Sequence, residues 1–92
     1  MRVFVREEAA DDLERIFAWI AKDDPRAATE IVRRLRGRIG RLETSGLELI
    51  GRIGVVSGTR ELADAPFIIV YRIIWERQEI EIIAIFHGRQ DR

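Results

Sequence analysis

Four side chains stand out as candidates for proton transfer and phosphate contact: Arg60, Arg72, His87 and Arg89. His87 is the only histidine, and titration near neutrality suits it to act as general base, as general acid, or as a polar strand end. The three arginines offer planar, permanently charged forks that match phosphate and carboxylate geometry. Glu61 follows Arg60 directly, so the two resemble a catalytic pair. Neighbours in a strand face opposite sides, however, so the pattern predicts that each meets a different cross-strand partner. Arg72 is predicted to form an ion pair across a hairpin with Glu81. Arg89 lies beside a glycine in the tail, where a side chain is spared core duties, and with His87 it is the expected contact with a target. No metal-ligand spacing occurs and no glycine-rich phosphate cradle beyond isolated glycines, so neither metal nor cofactor is implied.

These residues must be positioned by a small body. The chain has 92 residues, no cysteine, 47% hydrophobic and 35% charged residues, which predicts a single soluble domain over residues 1–92. A domain this short buries a modest share of its surface, so a standing partner that covers apolar area is physically reasonable. The chain opens Met1-Arg2-Val3-Phe4-Val5 and then turns acidic, unlike a signal peptide, and its apolar runs are too short to span a bilayer. A cytoplasmic location, with no membrane partner, is the expectation. Net charge is zero and fifteen of the sixteen cations are arginine. Bulk charge therefore predicts no affinity for nucleic acid, and only a local cluster could supply one.

Arg2 to Val5 reads as a first strand, and the acids from Glu7 to Asp12 suit a helix N-terminus. Leu13, Ile16, Phe17 and Ile20 then recur at helical spacing, with Asp11, Asp12, Glu14 and Arg15 turned outward. Asp24 is the expected N-cap of a second helix with Pro25 at its first position. That helix runs to about Glu43, burying Ala28, Ile31, Val32, Leu35, Ile39 and Leu42. Arg26, Arg33, Arg34, Arg36, Arg38 and Arg41 lie mostly off that face, either as a nucleic-acid patch or as a solvated face neutralised by Asp11, Asp12, Glu14 and Glu30. Thr44 to Gly54 reads as an irregular connector with Leu47, Leu49 and Ile50 tucked onto the core. The period then changes to two, and Gly54–Val56, Thr59–Leu62, Phe67–Trp75 and Glu79–Phe86 read as strands.

The resulting fold class is α/β (α+β): a β-α-α-β-β-β order with a helical hairpin on one face of a small, mainly antiparallel sheet. Alternation places Phe67, Ile69, Tyr71, Ile73 and Trp75 with Ile80, Ile82 and Phe86 on the hairpin side. The other face then holds Ile68, Val70, Arg72 and Ile74 with Glu81, Ile83, Ile85 and His87. This half-exposed face is the expected site of function.

Gly58-Thr59-Arg60-Glu61-Leu62, Ile69-Val70-Tyr71-Arg72-Ile73 and Phe86-His87-Gly88-Arg89, in this order and on this plan, are similar to the RelE/ParE superfamily of toxins. Asp12-Leu13, Ala27-Ala28, Gly51-Arg52 and Gly54 extend the resemblance over nearly the whole chain. It implies the toxic half of a toxin–antitoxin pair, held in a hetero-oligomer by a cognate antitoxin laid along the exposed surface. Ile68, Val70, Ile83 and Ile85, or the groove between that face and the hairpin, are the residues expected to meet it. One branch of the superfamily cuts messenger RNA on the ribosome; another poisons DNA gyrase. Nuclease members resemble a Tyr-Arg-Leu-Val-Tyr pattern whose arginine faces the scissile phosphate, whereas Phe67-Ile68-Ile69-Val70-Tyr71 has Ile68 at that place. The resemblance thus favours the ParE-like branch, with a RelE-like nuclease using Arg60, Arg72, His87 and Arg89 as one alternative and a non-toxic interaction module as another.

Overall fold

The computed structural model describes residues 1–88. Strand β1 (Arg2–Val5) leads into helix α1 (Glu7–Ala21), and a tight turn joins it to α2 (Pro25–Arg41). The remaining strands are β2 (Arg52–Ile53), β3 (Arg60–Asp64), β4 (Phe67–Ile74) and β5 (Glu79–His87). The sheet order is β1-β5-β4-β3-β2, with β1 parallel to β5 and every other pair antiparallel. The β-α-α-β-β-β plan is present, with the two-residue β2 added at one edge.

Local chemistry explains the element ends. The Asp24 carboxylate accepts the Ala27 N–H at 3.1 Å, and Pro25 takes the first position of α2, where its missing N–H costs nothing. Helix α1 has no side-chain cap, but Glu7 and Glu8 lie in its first turn, where the helix dipole favours negative charge. The strand expected at Gly54–Val56 is instead a turn: the Gly54 N–H bonds to the Thr59 carbonyl and the Thr59 N–H to that of Val56. A Cβ on Gly54 would collide with the Thr59 side chain, so pairing falls back to Arg52–Ile53.

The core joins Ala9 and Leu13 of α1 to Leu35, Ile39 and Leu42 from the second helix and its end, and to Phe67, Ile69, Tyr71, Ile80 and Ile82 of the sheet. Ile16, Ile20, Ile31 and Val32 pack against it, whereas Phe17, expected on the same stripe, is 40% exposed. Strand β5 departs from simple alternation. Val70 pairs with Ala84 but Tyr71 pairs with Ile82, so Ile83 is an extra residue, a β-bulge. Beyond it the parity of β5 inverts. Ile85 pairs with Ile69 and His87 with Phe67, so both lie on the hairpin side, and Phe86 pairs with Ile68 on the far face. The face expectations for Ile85, His87 and Phe86 are corrected accordingly. Ile85 is a core residue, 3% exposed.

The connector is pinned rather than packed by its apolar side chains, since Leu49 and Ile50 are about half exposed. Tyr71, fully buried, donates its hydroxyl to the Glu48 carbonyl and accepts the Gly51 N–H, both at 2.9 Å. Burial raises its pKa above the usual phenol value, which keeps the hydroxyl a neutral donor. A Cβ on Gly51 would sit 2.8 Å from the Tyr71 ring and 3.0 Å from the Glu61 carbonyl, which explains the glycine. Tyr71→Phe strands two main-chain groups and should cost about 1–3 kcal/mol. Gly51→Ala overpacks the same point at a similar cost of about 1–3 kcal/mol. Thermal unfolding should register each as a fall in Tm of about 4–8 °C per kcal/mol; an unchanged Tm in both would show that the connector is not held here.

Candidate functional site

Strand β1 covers β5 only as far as Val5, opposite Ile82. From residue 83 onward β5 therefore has no strand neighbour on that side, and α1 runs past the gap. Asp12, expected to face outward, turns instead to the sheet and accepts the Ile85 N–H at 2.9 Å, while also pairing with Arg15. The side chain thus satisfies a strand-edge donor that would otherwise be buried without a partner. Between α1 and this edge lies a cleft of about 950 Å³, floored by Ile16, Phe67 and Ile85 and walled by Trp19, with Arg15 and Lys22 at its rim. His87 also lines it, with its ring edge-on to Phe67, the centroids 5.7 Å apart. Trp19 is 66% exposed, so it is a wall of the cleft and not a core side chain.

The sequence-predicted site residues do not converge. Arg60 is on the hairpin side, where it donates to the Gly51 carbonyl at 2.7 Å and reaches that of Leu49 at 3.4 Å, a structural clamp on the connector. Glu61 faces the other way, buried, and accepts the Val55 N–H at 3.1 Å and Arg52 at 3.2 Å. Each member of the pair thus has its own partner, as the strand geometry predicts. Arg72 lies on the far face and binds Glu81 at 2.8 Å, with Arg6 within 3.8 Å of the same carboxylate. His87 and Arg60 share a side of the sheet, but His87 pairs with the first residue of β4, Phe67, and Arg60 with mid-strand Tyr71, from the strands on its two sides. Four residues of strand separate them by about 13 Å. Arg89 lies outside the described residues.

The surface residues expected to meet a partner are likewise divided. Ile68 is half-buried on the far face, Val70 is 7% exposed there, Ile83 sits half-buried at the bulge, and Ile85 contributes to the cleft floor instead. Sequence reasoning leaves this cleft as one alternative and misses Asp12 as its organiser, because a carboxylate at a helix start carries no mark of the strand edge it will meet. It also offers neutralisation of the α2 arginines by Asp11, Asp12, Glu14 and Glu30, but among the described residues none of these acids pairs with them. Arg34 does bind Asp64 at 3.1 Å, and Arg38 binds the Ala63 carbonyl. The guanidinium groups of Arg26, Arg33, Arg36 and Arg41 make no ion pair or hydrogen bond among the described residues.

No helix among the described residues is long and apolar enough to cross a membrane. Comparison with known proteins gives a consistent picture. The family described as "ParE toxin of type II toxin-antitoxin system, parDE" matches residues 3–92. "Putative toxin Y4kP" of Sinorhizobium fredii is 40% identical over 80 residues, 85% of this chain and 78% of that protein. Among solved structures, the "Chromosomal ParDE TA system from P. aeruginosa" superposes with a TM-score of 0.82 at 26% identity, covering 95% of each chain. The intact E. coli RelBE toxin–antitoxin complex gives 0.67 at 11% identity over 97% of this chain and 98% of that one, which shows the shared fold. With the hairpin-on-sheet fold and a match over nearly its whole length, the chain belongs to the ParE family of type II toxin–antitoxin toxins.

Proposed function

We propose that this toxin acts by binding, as a ParE-like poison of DNA gyrase that a cognate antitoxin neutralises. The observation that carries the reading is the dispersal of the groups a nuclease would need. RNA cleavage requires a base for the 2′-hydroxyl and cations around the developing phosphorane, all within hydrogen-bond reach of one phosphate. Here Arg60 is committed to connector carbonyls, Arg72 to Glu81 on the opposite face, and His87 lies across β4 from Arg60 and four residues along it. A poison that works through surface contact needs no such convergence. The closer structural match to a ParDE toxin than to the RelBE complex supports the same branch.

The antitoxin reading is supported by the two solved neighbours, one a ParDE toxin–antitoxin system and the other a RelBE toxin–antitoxin complex. Its segment would lie along half-buried Ile68 and Ile83, with Val70 buried between β3 and β5, and into the cleft over Ile85, where apolar area and a strand edge with no neighbouring strand are offered. His87, at the cleft, and Arg89, two residues on in sequence, are the proposed target contacts.

Purified toxin should inhibit gyrase supercoiling and leave translated mRNA intact; A-site cleavage without loss of supercoiling would reverse the reading, and growth unaffected by induction would leave only an inert module. Ile68→Glu and Ile83→Glu each place a charge on proposed antitoxin surface and should weaken the complex by about tenfold or more, given the roughly 1.5–3 kcal/mol carried by a buried aliphatic side chain. Calorimetric titration giving wild-type affinity for both would put the antitoxin elsewhere. Arg89→Ala, or truncation after Gly88, should relieve growth arrest with an unchanged circular dichroism spectrum. The cut belongs after Gly88, because His87 packs on Phe67 and the Gly88 N–H bonds to the Pro66 carbonyl at 2.7 Å. Persistent arrest in both variants would remove the tail from the target site.

A further inference from the structure

The zero net charge of the chain conceals a separation between the two helices. Helix α1 carries five carboxylates against one arginine, a net charge of −4. Helix α2 carries six arginines against one carboxylate, a net charge of +5. Two of those arginines, Arg34 and Arg38, are turned to β3. The other four, Arg26, Arg33, Arg36 and Arg41, are exposed, and their guanidinium groups make no ion pair or hydrogen bond among the described residues. At about 100° per residue, Arg26, Glu30, Arg33, Gly37 and Gly40 fall on one outward stripe, with Arg36 and Arg41 on its two sides, so the stripe carries one carboxylate against four arginines. A Cβ at Gly37 or Gly40 would meet no atom within 4 Å. Internal packing therefore does not require either glycine, although each weakens an exposed helix relative to alanine. Beyond Glu30, from Arg33 to Arg41, the stripe is thus a bare main-chain surface rimmed by cations, about 12 Å long.

We infer that this outward face of α2 binds the phosphate backbone of duplex DNA, with Gly37 and Gly40 letting that backbone come close and Arg33, Arg36 and Arg41 pairing with successive phosphates. Two features favour this occupant. The large exposed apolar side chains among the described residues include none from α2, so the stripe lacks the buried anchors on which a protein interface depends. Phe17 of α1, half-exposed, borders Arg36, but one ring is not the row of stacking platforms that single strands use. Fixed forks without anchors suit sequence-independent contact with a regular array of phosphates. The choice of DNA rests on the gyrase reading above, since a gyrase poison works where a duplex is already held.

The test uses the whole toxin, without gyrase, and a fluorescent DNA duplex of about 20 base pairs, read by anisotropy between about 50 and 200 mM salt. Wild type should bind with a steep salt dependence. Arg33→Ala with Arg36→Ala and Arg41→Ala should weaken binding about tenfold or more and lower the salt slope by about 0.9 for each phosphate that is no longer neutralised. Gly37→Ala with Gly40→Ala should raise Tm yet weaken binding, opposite movements that a purely structural effect would not produce. Equal duplex affinity of wild type and the arginine variant overturns the assignment. So does tighter binding to an RNA duplex of the same length or to an acidic helical peptide. Unchanged affinity in the glycine variant overturns the close approach. Supercoiling measured in parallel separates the two proposals: duplex binding without gyrase inhibition removes the gyrase reading and leaves this face in place.

Discussion

A single extra residue, Ile83, determines how the C-terminal half of the molecule is presented. Side chains alternate strictly along a strand, so one unpaired residue exchanges the two faces for everything beyond it. Before the bulge, Ile80 and Ile82 face the helices; after it, Ile85 and His87 do so. Without the bulge Ile85 would lie on the open face, and the hairpin would meet Phe86 instead. The same bulge falls just past the last residue covered by β1, so the strand changes register where it loses its neighbour. The cleft follows from both events: an apolar floor supplied by inverted residues, and an open edge whose Ile85 N–H is held by Asp12.

Two further interactions keep the other edge of the sheet in order. Tyr71 bonds main-chain atoms on both sides of the connector, and Arg60 binds its carbonyls from β3. On the opposite face Glu61, 3% exposed, holds Arg52 and the Val55 N–H. A carboxylate so deeply buried is tolerable only with such partners. Residues that look like a catalytic Arg-Glu pair in the sequence therefore spend their charges on opposite faces, tying down one loop each. This separation is the physical basis for reading the protein as a binder.

Electrostatically the hairpin is polarised, with carboxylates on one helix and guanidinium groups on the other. Fields from exposed charges act within about a Debye length, roughly 8–10 Å at physiological salt. A zero total therefore says little about a local face. The acidic helix lies beside the cleft, with Arg15 and Lys22 at its rim, while the basic helix presents its exposed arginines elsewhere. One small body thus offers two surfaces of different chemistry: an apolar cleft with a strand edge, and a cationic stripe with bare main chain.

Much of this architecture was legible without coordinates, because it depends on local rules. The apolar period of 3.6 marked both helices, Asp24-Pro25 marked the start of the second to the residue, and the period of two marked β3, β4 and β5. The Arg72–Glu81 pair followed from hairpin register alone, and the ordered motifs around Arg60, Tyr71 and His87 carried the family. What only the tertiary structure decided were the places where one element answers another. Alternation cannot announce a bulge, since Ile82-Ile83 reads the same with or without one, so the faces of Ile85, Phe86 and His87 required the pairing with β4. Composition placed acids and arginines on the same hairpin but not within reach of one another, so the exposed arginines of α2 emerged only from distances. Asp12 binds a strand edge 73 residues away in sequence, and no local pattern encodes a contact of that range.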